Sequence, residues 1–269
     1  MPDFGLTERL LLRDRWLLIV MIGVLFLLAG LYTIYGVGMR MTALEMTAMS
    51  GMRDMPGPTA PSDWTMGYAV LVLLMWWVMM VAMMLPSVAP TVLLHAALMR
   101  RGTQAVGVPM ISAAFLAGYL AIWGIFSLAA TTLQFVLEAA GVVSASMMTL
   151  AARLPRGIVL VAAGLCQFTA LKQACLSHCQ SSARFLTERR RPGLRGAFLM
   201  GLDHGMYCLG CCWFLMALLF VGGIMNLYWI VGLTAFVAFE KLTSYGVLIS
   251  KVAGAALILW GGWVVISTL

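Results

Sequence analysis

The sequence predicts an all-α fold, a polytopic bundle of about seven transmembrane helices with six as the smaller count, and three observations predict it. Of the 269 residues, 62% are hydrophobic and only 10% are charged, against roughly a quarter charged in an average soluble domain. The apolar residues fall in runs of about 20, the length that crosses the hydrocarbon layer of a bilayer. The net charge of +7 sits in short arginine clusters between those runs. That pattern is a topology signal and lacks the long basic stripe of a nucleic-acid binder. Lipid is the expected partner, and nucleic acid is not.

The first apolar window, 16–36, follows Arg9, Arg13 and Arg15. It is long for the h-region of a secretory signal and no small-residue cleavage site follows, so it reads as an uncleaved anchor. Further windows cover 69–94, 109–137, 157–179, 198–220, 224–240 and 250–268. Only Gly222 and Gly223 separate the fifth from the sixth, which is why a six-span count stands beside seven. Lysine and arginine then set the orientation. The N-terminus, Arg100–Arg101, the loop from Arg184 to Arg195 and the Lys241–Lys251 loop would share one side, expected to be the cytoplasm. The other side receives Arg40, Arg53, Arg153 and Arg156, partly offset by Glu45, Asp54, Asp63 and Glu138. An inside N-terminus and an outside C-terminus follow. A single membrane domain, 1–269, carries a methionine-rich extracytoplasmic loop at about 37–66.

The chemistry must come from 22 methionines, six cysteines and three histidines. In the outer loop Met46, Met49, Met52 and Met55 recur at every third residue. An extended polyproline-type segment would place these thioethers on one face, whereas on an α-helix they drift by about 60° per step. Thioethers are soft, neutral ligands that prefer Cu(I) and need no deprotonation. In the second window Met75, Met79 and Met83 stand one turn apart, with Met80 and Met84 as a parallel row. Such a ladder could relay Cu(I), and methionine also fills gaps between helices and packs on neighbours such as Trp76 and Trp77. Pro86 removes a backbone hydrogen bond and invites a kink. His95, near the inner end, reads as interfacial.

The cysteines fall on two windows. Cys175 and Cys179 share a narrow face with Phe168 and Lys172, with His178 at its side, and His204, Cys208 and Cys211 share a second face near Cys212. A short arginine-rich loop joins the two windows, so they are expected to be antiparallel neighbours. Two facing stripes of cysteine and histidine in the inner half of a membrane resemble a soft-metal site. A single buried cysteine such as Cys166 reads as an inert small hydrophobe. Lys172 and Glu240 are expected to form a structural ion pair locking the fourth window to the sixth. Asp203, beside His204, is a candidate to orient that imidazole.

The segments Ala82–Ser87, Leu171-Lys172-x-x-Cys175-Leu176-x-x-Cys179, His204 to Trp213, Gly222 to Trp229 and Glu240–Lys241 resemble one bacterial family. It is known in words as the predicted metal-binding integral membrane proteins, a domain otherwise of unknown function. The resemblance spans roughly residues 69 to 245. It implies a bacterial inner-membrane location and metal positions at Cys175, Cys179, Cys208, Cys211 and Cys212, with His204 inside the same block.

The expectation is therefore an integral membrane protein that binds Cu(I) and transports it or hands it on. Met46, Met49 and Met52 would capture the ion, Met79 and Met83 relay it, and the cysteines with His178 and His204 hold it. A copper-dependent apoenzyme or a periplasmic copper carrier is the expected protein partner. Zn(II), held by Cys–His tetrahedra, is the second metal considered. Two rivals remain. One is a thiol oxidoreductase using Cys208-x-x-Cys211. The other is a bis-histidine haem protein, disfavoured because His95 and His178 both read as close to the inner interface. The sequence has no nucleotide-binding loop for an active pump.

Overall fold

The computed structural model describes residues 4–39, 41–49, 64–100, 107–145 and 147–268, with side chains from Arg15 onward. The described chain is helical almost throughout: α1 (Phe4–Tyr35), α2 (Ala43–Ala48), α3 (Met66–Arg100), α4 (Val108–Ala139), α5 (Arg153–Cys166) and α6 (Ala170–Gln180). There follow α7 (Ser182–Glu188), α8 (Gly193–Ala217), α9 (Leu219–Gly222), α10 (Leu227–Leu242) and α11 (Gly246–Ile266). A short antiparallel hairpin, β1 (Val143–Ser144) and β2 (Thr149–Leu150), connects α4 to α5.

Small residues set which helices meet. Gly118 on α4 and Gly201 on α8 face each other's backbones, and a Cβ at either would overlap a carbonyl oxygen, that of Phe198 or Phe115. Gly157 on α5 and Gly261 on α11 make a reciprocal contact of the same kind. Small residues at a helix interface let two backbones approach closely and pack over a large area. Helix α3 packs on α1, α4 and α10. Its Met75, Met79, Met80, Met83 and Met84 are all buried, and it stays helical through Pro86 and Pro90.

A buried polar chain ties α3 to α4. Trp76 Nε1 donates to Gln134 Oε1 (2.8 Å), Gln134 Nε2 donates to Glu138 Oε1 (2.8 Å), and Trp64 Nε1 donates to Glu138 Oε2 (2.9 Å). In an apolar surround every such group needs a partner, and these supply one another's. The same end of the bundle gathers α2, the hairpin and the turn before α10. Thr149 Oγ1 donates to Phe220 O (3.1 Å), Ile224 N to Met148 O (3.2 Å) and Leu227 N to Thr47 Oγ1 (2.9 Å).

Five helical segments among the described residues are long and apolar enough to cross a membrane: Arg15–Tyr35, Met66–Arg100, Val108–Ala139, Gly193–Gly222 and Gly246–Ile266. Two of the seven sequence windows come out differently. The window 157–179 is not one straight helix: α5 and α6 meet at 62°. The break is stabilised by polar groups, since Thr169 Oγ1 caps Lys172 N (3.3 Å) and Gln167 Oε1 accepts from Ser250 Oγ (2.9 Å). Counted as one element, this pair is the sixth candidate span. The window 224–240 becomes α10, only 16 residues long. Gly223, at φ +96°, turns the chain, and Asn226 caps Tyr228 N (3.0 Å) before the helix begins.

Two further expectations change. The Lys241–Lys251 loop shrinks to residues 243–245, because Lys241 lies within α10 and Lys251 within α11. The extended methionine face is absent at its first two members: Met46 is buried inside α2 and Met49 caps its C-terminus. The cause is a capping box, in which the Thr42 hydroxyl accepts from Glu45 N (3.2 Å) and Glu45 Oε2 accepts from Thr42 N (2.8 Å). That pairing starts a helix where the methionine spacing suggested extended chain. Hydrogen bonds from the Thr42 backbone and side chain hold the Glu45 carboxyl below its ordinary 4.5. Met52 and Met55 lie outside the described residues.

Candidate metal centre

The cysteines meet where α6 crosses α8. Gly210 on α8 lacks a Cβ, and one built there would stand 2.7 Å from Cys175 Sγ, so the α6 thiol fills the space a side chain would need. One turn along, the thiols of Cys179 and Cys211 face each other. Cys208, Cys211 and Cys212 share one turn of α8, and the thiols of Cys211 and Cys212 each donate to the Cys208 carbonyl at 3.0 Å. Cys175, Cys179, Cys208, Cys211 and Cys212 are all buried, while Cys166, at the end of α5, is only partly so. All six cysteines are free.

Two residues not expected at the cysteines complete the cluster. Lys241 reaches in from α10, its Nζ donating to Cys208 Sγ at 2.7 Å and standing 3.9 Å from Cys212 Sγ. The Tyr119 hydroxyl of α4 lies 2.9 Å from the same Cys208 sulfur. Lys241 was read as an interfacial topology charge, yet it is buried. The signal was available: Ile230, Val237 and Lys241 follow helical spacing along the buried face of α10.

A cavity of about 250 Å³ adjoins the cluster. Cys179, His204, Cys208 and Lys241 are in its wall, with Ser87 and Thr91 of α3 opposite. The spacing 80, 84, 87, 91 follows one face of α3, so the row of Met80 and Met84 continues into this cavity wall. Met79 and Met83 are buried on the same helix. Met46 is placed apart from the cysteines, in the grouping of α2 with the hairpin.

The histidines pack among aromatic rings, His95 and His204 buried and His178 half-buried. His204 packs near Phe115, Tyr119 and Phe185, and its Nδ1 has no hydrogen-bond partner. His178 stacks on Tyr207, ring centroids 3.6 Å apart, with its Nε2 unpartnered. His95 is buried at 1% exposure and stacked on Phe115, with neither ring nitrogen partnered. Asp203 does not orient His204; it turns toward Arg191 and Arg189, at 3.4 and 3.9 Å. Neighbouring positions on a helix point about 100° apart, which separates the two side chains.

Lys172 Nζ and Glu240 Oε1 meet at 2.8 Å with side chains 1% and 0% exposed, linking α6 to α10.

The cluster is not a preformed coordination shell. Among the described residues no three His, Cys, Asp or Glu side chains stand in metal-holding geometry. The Lys241 ammonium lies against Cys208, and two thiols are engaged by a backbone carbonyl. The donor chemistry nevertheless suits a soft ion of low coordination number, because sulfur is abundant and Cu(I) accepts few ligands.

No curated protein and no solved structure matches the chain. Residues 73–264 match the PpoB2 family, described as a copper chaperone. The matched segment contains all six cysteines, all three histidines and Lys241, and excludes Met46, Met49 and Met52. With that match over most of its length, the chain belongs to the PpoB2 copper chaperone family.

Proposed function

We propose that this chain is a multi-pass protein of a bacterial inner membrane that receives Cu(I), holds it at the α6–α8 cysteine cluster and passes it to a copper-dependent apoenzyme or a periplasmic copper carrier. The single observation that carries the reading is the gathering of Cys179, Cys208, Cys211 and Cys212, all buried, beside a cavity that two of them line. Buried thiols on two crossing helices in an apolar bundle have no structural need to converge, and soft sulfur donors are what Cu(I) selects.

In this reading the ion is cargo and the chain's residues have separate tasks. Cys208 and Cys211 are the principal donors, Cys179 and Cys212 the exchange partners, and His204, with its unpartnered ring nitrogen, a further donor in the cavity wall. Cys175 and His178 flank the site. Met80 and Met84 extend the predicted thioether relay of Met79 and Met83 toward the cavity wall. Zn(II) has less support, since a tetrahedral site draws on four ligands and no three stand ready. Helix α10, at 16 residues about 24 Å long, crosses the layer between the hairpin end and the Lys241 end. That makes seven crossings with the N-terminus inside and the C-terminus outside.

Metal content of anaerobic, detergent-purified full-length protein tests the reading. Near-stoichiometric copper that falls when Cys208 and Cys211 are both changed to Ser is expected. Copper-free protein after reconstitution with Cu(I), accompanied by a Cys208–Cys211 disulfide or a haem absorption band, would overturn it.

A further inference from the structure

Two lysine ammonium groups are buried beside the cysteine cluster, and they differ in their partners. Lys172 has a carboxylate, Glu240, at 2.8 Å. Lys241 has sulfur, with Cys208 at 2.7 Å and Cys212 at 3.9 Å. A buried cation without an anion is strongly unfavourable in an apolar surround, so the charge on Lys241 has to be met by the cluster itself.

We propose that Lys241 is the built-in countercharge of the copper site, staying beside Cys208 when Cu(I) is bound and making the cluster select a monovalent soft ion over a divalent one. The inference rests on the copper reading above. One Cu(I) held by two thiolates carries a charge of −1, and the ammonium brings the assembly to zero. A divalent ion on the same two thiolates is already neutral and leaves the ammonium uncompensated. Neutrality for a divalent ion needs a third thiolate drawn in from Cys179 or Cys212, and among the described residues no three donors stand in ligating geometry. An ammonium has three N–H donors and no lone pair, so Lys241 is not itself a ligand. It acts through Cys208, as a positioning residue that orients and stabilises a ligating sulfur by hydrogen bonding. Lys172 cannot take the role because Glu240 already neutralises it.

The test is competitive titration of purified full-length protein, kept anaerobic. Cu(I) is titrated against bathocuproine disulfonate and Zn(II) against a fluorescent zinc chelator, for wild type, K241M, K241R and K251M. Lys251 is exposed on α11, so K251M removes one charge away from the cluster. We expect K241M to lose about 10- to 100-fold in Cu(I) affinity, the usual effect of removing a group that hydrogen-bonds a metal ligand, and the Cu(I)-to-Zn(II) affinity ratio to fall with it. K241R, which keeps the charge, should retain the ratio, and so should K251M. K241M binding Cu(I) as tightly as wild type or tighter overturns the proposal, and would make the ammonium a competitor for the ion. If K241M is not recovered folded, K241R decides: a retained ratio supports the countercharge and a lost ratio refutes it. Wild-type protein without Cu(I) affinity removes the copper reading itself, a separate outcome.

Discussion

Removing one member of the Lys172–Glu240 pair should destabilise the bundle far more than removing both. The charges stand 2.8 Å apart with side chains 1% and 0% exposed, so solvent screening is negligible. At an effective dielectric constant of about 20 their attraction is about 6 kcal/mol, against a desolvation cost of several kcal/mol for each ion. The two contributions nearly cancel, and the pair adds little net stability over an apolar replacement. Lys172→Met alone strands the Glu240 carboxylate, and Glu240→Gln alone strands the ammonium. Each should lower stability by about 3–5 kcal/mol, whereas a Lys172→Met/Glu240→Met double variant should fall within about 1 kcal/mol of wild type. Reversible unfolding in mixed micelles with a rising fraction of SDS measures all four proteins, and the double-mutant cycle extracts the coupling. Single variants costing under about 1 kcal/mol, or a double variant as unstable as the sum of the singles, would refute the reasoning.

Other expectations follow from the packing and the polar contacts. Gly201→Ala places a methyl on the Phe115 carbonyl oxygen and should cost about 1–3 kcal/mol, read in the same unfolding assay, with Gly262→Ala, where space is open, as the neutral comparison. Gln134→Leu removes the acceptor of the buried Trp76 indole and should cost about 1–3 kcal/mol for that group left unpaired, with a shifted tryptophan emission as a second readout. The Glu45 carboxyl is held below 4.5 by Thr42, so its support of α2 is complete above that value and is lost as pH falls through the lowered value. Amide protection factors over 43–48, taken against the intrinsic exchange rate at each pH, should therefore fall on acidification in wild type more than in Glu45→Gln, and an equal fall in both would sink the capping explanation.

Much of the fold was legible because a long apolar helix leaves a one-dimensional trace. Apolar runs of membrane length and arginine placement are local features, and helices α1, α3, α4, α8 and α11 follow from them. The bent α5–α6 pair was not legible, because Thr169 and Gln167 break the helix only when their polar groups find partners, and the Gln167 partner, Ser250, is about eighty residues away. At the site, the cysteine stripes of α6 and α8 could be read from spacing alone. Spacing could put Lys241 on the buried face of α10, but its meeting with Cys208, and that of Tyr119 from α4, came only through packing. Asp203 misled for the opposite reason: adjacency to His204 in sequence set it on a different face of the helix, where Arg191 and Arg189 claim it.

By itself the sequence determined an apolar helical chain, the pairing of soft donors on two helices and the asymmetry of its charges, because composition and helical period act within one segment. Tertiary structure alone decided that an ammonium stands among the thiols, that a cavity adjoins them and that the donors are gathered without being arranged as a finished shell. Those outcomes depend on how closely helices approach, which glycines such as Gly118, Gly201 and Gly210 set by what they lack, and no local pattern encodes an approach between distant segments.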